Sequence, residues 1–194
     1  MAIFNNRYRV ESARLESWDY TWPGWYYITV NTRHHELFFG DIYDDEMHLS
    51  PIGEIVSEEW IKTPTIRPSV ELDYWQIMPN HLHGIIIIDQ KANLETTRRV
   101  VSTTLQPESL GSIIGQFKSV CTKRIHNTGN KEFAWQPRFF DHIIRNAKDL
   151  ERIRDYIKNN VLEWAIDEYH PSNRSLYGHH IAINERNSPG KNTI

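Results

Sequence analysis

Hydrophobic and polar positions alternate in some parts of the chain and recur at helical spacing in others. Alternation with a period of two is typical of strands, whereas apolar residues at i, i+3, i+4 and i+7 are typical of a helix with one buried face. Proline, glycine and asparagine separate these segments. The pattern predicts, in chain order, a strand over 25–32, a hairpin from 36–40 and 41–49, a helix over 53–61 that Pro64 ends, strands over 70–77 and 81–89, a helix over 110–127, a strand region over 133–144, and a helix from Asn146 to about Trp164.

The order of these elements predicts an α+β fold. Only Met78, Pro79 and Asn80 separate strands 70–77 and 81–89, so these two strands should pair as an antiparallel hairpin. The remaining strands and helices give the ferredoxin-like βαββαβ order, an antiparallel sheet with helices on one face. An extra N-terminal hairpin and a C-terminal helix that carries a tyrosine complete the fold. We expect residues 1–24 to be an N-terminal extension, 25–166 the single domain and 167–194 a polar, mobile tail.

Apolar stripes support the last two helices. Asn146 is a good N-cap residue, and Asp149 three positions later gives a variant of the capping box. The stripe of helix 110–127 consists of Leu110, Ile113, Ile114, Phe117, Val120, Cys121 and Ile125, and that of the final helix of Leu150, Ile153, Ile157, Val161 and Trp164.

Composition restricts the class of protein. The chain has 194 residues, of which 39% are hydrophobic and 12% aromatic, enough for one packed core and too apolar for a disordered chain. Its longest apolar run, residues 85–88, is far too short to cross a membrane, and the N-terminus lacks the apolar segment of a signal peptide. The single cysteine, Cys121, excludes an internal disulfide and a cysteine zinc site. We therefore expect a cytoplasmic protein.

Charge is unevenly distributed along the chain. The net charge of −3 excludes a uniformly basic nucleic-acid binder, although a local basic face remains compatible with it. Residues 36–73 hold ten acidic and two basic side chains, whereas residues 111–160 hold ten basic and five acidic ones. The basic half is either an ordinary solvated surface or a face that binds a phosphate backbone. The candidates for DNA binding are Lys118, Lys123, Arg124, Arg138, Arg145, Arg152 and Lys158.

Two short segments carry residues suited to chemistry. His81 and His83 are two apart on a predicted strand, so both imidazoles should point to one face and could bind a divalent metal ion. Gly84 beside them permits close approach of another backbone or of a ligand. Tyr156 and Asn160 are four apart and share one face of the last helix. The alternatives are two half-exposed strand histidines and an ordinary amphipathic tyrosine.

The order of several motifs resembles a known family. MPNHLHG at 78–84 is followed by WQPRFFDHIIRN at 135–146 and YIKNN at 156–160, with YYITVNTR at 26–33 and GSIIGQFKS at 111–119 also matching. Together they resemble the single-tyrosine HUH transposases, most closely the REP-associated tyrosine transposases, over residues 25–165.

The resemblance implies a role for particular residues. His81 and His83 match the two metal-binding histidines, Tyr156 matches the catalytic nucleophile, and Asn160 falls where the family places a third polar metal ligand. The family often has Asn-Pro after this motif, whereas Val161 follows Asn160 here and leaves the helix free to continue. The implied cofactor is Mg²⁺ or Mn²⁺, and the implied partner is single-stranded or hairpin DNA. No nucleotide cofactor is expected, and the protein would be a monomer or a homodimer.

The chemistry is consistent with these residue types. A free tyrosine has a pKa of about 10, so it needs a bound cation or a base to become a good nucleophile. Attack on DNA would give a 5′-phosphotyrosine link and a free 3′-OH, and the reverse attack would rejoin strands. Two other functions stay open: a domesticated hairpin DNA-binding protein that no longer cleaves, and a metal-dependent phosphodiesterase that uses water. In each case binding to DNA would associate the protein with the nucleoid.

Overall fold

A computed structural model of the chain describes residues 19–89 and 109–173. Within them six strands and three helices follow the predicted order. Their bounds are β1 Gly24–Asn31, β2 Gly40–Tyr43, β3 Glu46–Leu49, α1 Pro51–Ile66, β4 Val70–Met78, β5 His81–Ile88, α2 Leu110–Asn127, β6 Phe140–Ile144 and α3 Ala147–Asn159, with 3₁₀ turns at Arg33–His35, Trp164–Ile166 and Pro171–Asn173.

Four strands form one antiparallel sheet in the order β4-β5-β1-β6. β1, α1, β4, β5, α2 and β6 therefore have the βαββαβ connectivity of a ferredoxin-like fold, with the first and third of these strands in the centre. Strands β2 and β3 form the separate extra hairpin. The predicted α+β fold class is confirmed. Among the helices of the described residues, none is long and apolar enough to cross a membrane.

Helices cover both faces of the sheet. One face packs on α1 and α2 through a core that includes Ile28, Leu82 and Ile86 from the strands. The opposite face packs on α3 through Tyr27, Ile85, Ile144, Ile153 and Ile157. Side chains alternate along a strand, so neighbouring residues of β5 contribute to different cores. The expected layer on one face therefore consists of α1 and α2, and the tyrosine-bearing helix lies on the other face.

A capping side chain precedes each of the three helices. The Asn146 side chain accepts a hydrogen bond from the backbone N–H of Asp149 at 2.9 Å, which confirms Asn146 as the N-cap of α3. The hydroxyls of Ser50 and Ser109 accept equivalent bonds at the starts of α1 and α2.

Two predicted helix ends were wrong. Pro64 lies inside α1, which continues to Ile66. Because Pro64 is the third residue from the C-terminal end of α1, its missing N–H costs one hydrogen bond, and the Arg67 N–H still bonds to the Thr63 carbonyl at 2.9 Å. In contrast, α3 ends at Asn159 rather than near Trp164. Asparagine is a weak helix former, and after Asn160 the chain continues in turns and a 3₁₀ segment.

Strand bounds differ from the prediction mainly in the C-terminal half. The predicted strand region over 133–144 contains a regular strand only at β6, while Trp135 makes an isolated bridge to Thr32. Pro137 between them has no N–H to donate to a ladder. The predicted hairpin over 36–49 likewise forms only from Gly40 to Leu49.

The close neighbour of Gly84 is a side chain rather than a backbone or a ligand. A Cβ atom at Gly84 would lie 2.6 Å from Cζ2 of Trp60, which is fully buried on α1. Gly84 is therefore required by the packing of α1 on β5, on the face opposite the neighbouring histidines.

Candidate metal centre and active site

Strand β5 brings the imidazoles of His81 and His83 together on the face covered by α3. Both side chains are buried, at 0% and 1% exposure, while Leu82 between them lies in the other core. The Nε2 atoms of the two rings are 2.8 Å apart. The predicted common face for the two histidines is therefore confirmed.

The outer nitrogen of each ring has its own hydrogen-bond partners. Nδ1 of His81 lies 2.7 Å from the side-chain oxygen of Asn80. Nδ1 of His83 lies 2.8 Å from the Tyr27 hydroxyl and 2.9 Å from the Thr29 hydroxyl. Both histidines therefore direct Nε2 toward the same point, and their outer nitrogens are held by polar groups as in metal-binding histidines.

Burial keeps both rings neutral. Desolvation lowers the pKa of His83 to about 3. Desolvation, followed by the proximity of His83 and His35, also lowers the pKa of His81 well below its usual value. Since a neutral imidazole has a free lone pair, both rings are in the protonation state required to bind a metal ion at neutral pH.

Asp167 completes the cluster, and the sequence interpretation missed it. The ligand atoms of His81, His83 and Asp167 all lie within 4.8 Å of one another. Burial raises the pKa of Asp167 to about 7, although a hydrogen bond from the Tyr169 N–H, at 2.7 Å, lowers it. Asp167 lies far from the histidines in sequence and has no fixed spacing from them. The sequence signal for Asp167 was that it belongs to a pair of acidic residues, with Glu168, placed between apolar Ile166 and aromatic Tyr169.

Residues after α3 cover the histidine pair. The ring centroid of Tyr169 lies 4.9 Å from that of His81 and 5.0 Å from that of His35, and the Trp164 ring lies 6.1 Å from His81. The side-chain nitrogen of Asn80 donates to the Tyr169 carbonyl at 2.8 Å. This part of the expected C-terminal tail is thus folded against the site, whereas residues 174–194 lie outside the described residues.

Helix α3 places Tyr156 next to the same cluster. Its ring lies edge-on to His83, with centroids 5.3 Å apart, and edge-on to Tyr27, with centroids 6.2 Å apart. Desolvation, followed by the proximity of Tyr27 and Asp167, raises the pKa of Tyr156 well above its usual value. The structure therefore brings together the tyrosine and the two histidines that the motifs selected.

Asn160 follows the last residue of α3. Its side chain is buried, with 2% exposure, and its Nδ2 atom has no hydrogen-bond partner among residues 19–89 and 109–173. A buried amide with an unused polar atom is costly unless another group satisfies it. The unused atom is an N–H donor, so it is suited to hydrogen-bonding an acceptor such as a phosphate oxygen, whereas an asparagine binds a metal ion through Oδ1.

The donor set fits a divalent metal ion. The two Nε2 atoms are 2.8 Å apart and the Asp167 carboxylate lies within 4.8 Å of them, so the three residues are close enough to bind one ion. Two neutral imidazoles and a carboxylate form a ligand set that can bind a divalent metal ion.

The basic candidates fall into two groups. Several are engaged within the protein: Lys118 donates to the carbonyls of Gln136 and Arg138, Arg124 pairs with Glu58 and Glu59, and Arg152 pairs with Asp149. The exposed ones are Lys123, Arg138, Arg145 and Lys158, and the Lys158 ammonium lies 4.4 Å from the centre of the Tyr74 ring. Lys118, Lys123 and Arg124 belong to α2, which covers the face of the sheet opposite the histidines.

No family model matches the chain. It is 36% identical over 163 residues to an uncharacterized protein of Haemophilus influenzae, covering 81% of this chain and 91% of that protein. It is also 25% identical over 156 residues to the REP-associated tyrosine transposase of Escherichia coli, covering 76% of this chain and 77% of that one. A solved structure of a REP-associated tyrosine transposase bound to a REP hairpin superposes with a TM-score of 0.52 at 25% identity, covering 76% of this chain and 73% of that chain.

The fold and these similarities define a transposase-like protein. The chain belongs to the same family as the Haemophilus influenzae protein, and its predicted resemblance to the REP-associated tyrosine transposases is confirmed in both sequence and structure.

Proposed function

We propose that the protein is a metal-dependent transposase that nicks and rejoins single-stranded DNA through Tyr156. The observation that carries the proposal is the contact between Tyr156 and His83, which places a possible nucleophile beside a possible metal centre. The similarity to a transposase that was solved with a REP hairpin supports hairpin-bearing DNA as the substrate.

His81, His83, Asp167 and Asn160 would hold Mg²⁺ or Mn²⁺. When bound, this ion would polarise the scissile phosphate and offset the charge on the leaving oxygen. The half-buried Tyr156 phenol must lose its proton as its oxygen attacks phosphorus. The oxygen–phosphorus bond forms to Tyr156 while the bond to the 3′ oxygen breaks, and that oxygen takes up a proton. Attack by a 3′-OH on the phosphotyrosine reverses these changes and needs no nucleotide cofactor.

The site would work within one chain. Tyr156 contacts His83 of the same chain, and only Arg145 and Asn146 connect β6 to α3. This short connection leaves little length for exchange of the helix between two copies. Mixing Tyr156→Phe protein with His83→Ala protein should therefore restore no activity, whereas exchange between subunits would restore part of it.

DNA must reach a covered site. The exposed Arg138, Arg145 and Lys158 would guide the phosphate backbone, so binding should weaken steeply with salt. The rings of Trp164 and Tyr169 lie against the buried histidine pair, so we expect both rings to shift when a phosphate approaches the cluster.

The decisive experiment incubates the protein with labelled hairpin oligonucleotides from the flanks of its gene, with Mg²⁺ or Mn²⁺. Denaturing gels would follow transfer of label to protein. We expect a metal-dependent covalent adduct that Tyr156→Phe abolishes and that Tyr74→Phe, a matched change at an exposed tyrosine, retains.

Other outcomes would each contradict the proposal. An adduct that persists in Tyr156→Phe would show that another residue is the nucleophile. Metal-dependent cleavage without an adduct would indicate a phosphodiesterase that uses water. Tight binding without cleavage in either metal would indicate a hairpin DNA-binding protein.

A further inference from the structure

The side chain of Asn80 makes three hydrogen bonds around the candidate metal centre. It lies between β4 and β5, and its side chain is fully buried. The amide nitrogen donates to the His35 carbonyl at 3.1 Å and to the Tyr169 carbonyl at 2.8 Å. The amide oxygen faces Nδ1 of His81 at 2.7 Å. All three bonds connect segments that surround the histidine pair.

These bonds determine the tautomer of His81. Both hydrogens of the Asn80 amide are used by carbonyl oxygens, which can only accept, so the amide cannot be rotated by half a turn. Its oxygen must therefore accept a hydrogen bond from Nδ1 of His81. That nitrogen then carries the proton, and Nε2 of His81 keeps its lone pair directed toward the centre of the cluster.

His83 is held in a different way. Its Nδ1 atom faces the hydroxyls of Tyr27 and Thr29, and a hydroxyl can either donate or accept. His83 can therefore carry its proton on Nε2, where it donates to His81 across 2.8 Å, or on Nδ1, where Nε2 is free for a cation. One ring is fixed and the other can adapt, which allows the pair to be stable both with and without an ion.

Asn80 also reaches the third member of the cluster. The Tyr169 carbonyl accepts from Asn80, while the Tyr169 N–H donates to the Asp167 carboxylate at 2.7 Å. Tyr169 therefore links the Asn80 side chain to the Asp167 carboxylate through its own carbonyl and N–H. The bond holds the Asp167–Tyr169 turn against the histidines, although the two parts are distant in sequence.

We propose that Asn80 is the positioning residue of the metal centre: it fixes His81 with Nε2 free and holds the turn that carries Asp167. This inference rests on the proposed metal-binding function, and it adds that the ligands from β5 and from the segment after α3 are assembled by one side chain.

The test compares three variants with the parent protein. Asn80→Ala removes all three bonds. Asn80→Asp keeps an oxygen for His81 but cannot donate to the two carbonyls. Thr63→Val removes a buried hydroxyl that bonds to the Glu59 carbonyl on α1, across the sheet, and serves as the matched control. The measurements are Mn²⁺ affinity by calorimetry and the histidine tautomers by ¹⁵N NMR without metal.

We expect Asn80→Ala to weaken Mn²⁺ binding by about 10- to 100-fold, the usual effect of losing a partner of a metal-binding histidine. The parent and Asn80→Asp should show His81 protonated on Nδ1, whereas Asn80→Ala should lose this fixed tautomer. Thr63→Val should leave both readouts unchanged, even where it lowers stability.

Two results would overturn the inference: Asn80→Ala that binds Mn²⁺ as tightly as the parent, or Asn80→Ala that keeps the Nδ1 tautomer of His81. Failure of the parent to bind Mn²⁺ would instead contradict the proposed metal-binding function. The tautomer measurement distinguishes these cases because it needs no metal.

Discussion

The ring of Tyr156 stands edge-on to the imidazole of His83, with centroids 5.3 Å apart. This contact joins α3 to β5, two elements that are far apart in sequence. The tyrosine is half-buried, and desolvation favours its neutral phenol over the phenolate by raising its pKa. Its reactivity must therefore depend on what enters the site beside it.

The burial of Tyr156 should be visible in the pH dependence of stability. Its pKa is higher in the folded than in the unfolded chain, so the folded state holds the proton more tightly. The resulting stabilisation is complete below the unfolded-state pKa of about 10 and is lost as the pH rises above it. The difference in free energy of unfolding between the parent and Tyr156→Phe should be constant to about pH 9. It should then fall with a slope that approaches about 1.4 kcal/mol per pH unit.

Urea unfolding of both proteins from pH 7 to 11, without metal or DNA, measures this difference. Subtracting the variant cancels the titration of other groups. A difference that stays constant to pH 11 would show that Tyr156 is not desolvated in the folded protein.

Gly84→Ala should destabilise the protein. The new Cβ would lie 2.6 Å from the Trp60 ring, so the indole or the strand must shift. Overpacking of this kind costs about 1–3 kcal/mol. Gly115→Ala is the matched control, because Gly115 lies on the exposed side of α2 with no atom within 4 Å of a new Cβ. That change should instead stabilise the helix by about 0.5–1 kcal/mol. Equal effects of the two changes in thermal unfolding would argue against the Trp60 contact.

Asp167→Asn should weaken metal binding more than it changes the fold. The amide can still accept from the Tyr169 N–H, but it lacks the negative charge that favours a divalent cation. We expect Mn²⁺ affinity to fall by more than about tenfold, since even partners outside the ligand shell have effects of that size. Glu54→Gln, an exposed change at the start of α1 on the opposite face of the sheet, should bind Mn²⁺ like the parent. Calorimetric titration compares them, and equal affinities would remove Asp167 from the site.

Arg145→Gln and Arg124→Gln should affect different properties. Arg145 is exposed between β6 and α3, so its loss should weaken DNA binding and reduce the slope of log affinity against log salt by about 1. Arg124 pairs with Glu58 and Glu59, so its loss should lower stability and leave DNA affinity nearly unchanged. Salt titrations with a labelled hairpin, together with thermal unfolding, separate the two effects. A lower salt slope in Arg124→Gln would instead place DNA on α2.

The elements with the strongest periodicity were predicted most accurately from the sequence. Helix α2 was predicted with its exact bounds because one apolar stripe runs through it without interruption. The hairpin β4–β5 followed from alternation over 70–77 and from the short Met-Pro-Asn turn that separates it from the next strand. The end of α3 was predicted poorly, since the stripe suggested by Val161 and Trp164 continues in sequence although the helix does not.

The site was predicted where its residues lie within one element. Alternation placed His81 and His83 on one face, and helical periodicity placed Tyr156 at the edge of the stripe. Asp167 could not be found this way, because tertiary packing alone brings it to the histidines. The role of Asn80 was equally hidden, since its partners His35 and Tyr169 come from segments without regular spacing.

The central position of β1 affects how the chain can fold as it leaves the ribosome. β1 is made first, yet its two neighbours are β5 and the much later β6. Until β6 emerges, one edge of β1 stays unpaired. The side chains of Tyr26, Ile28 and Val30, which are buried in the folded protein, then lack part of their packing. Unpaired apolar edges promote association with other chains, and distant pairings slow folding. The nascent protein therefore depends on its last strand to escape aggregation, well after most of its core has been synthesised.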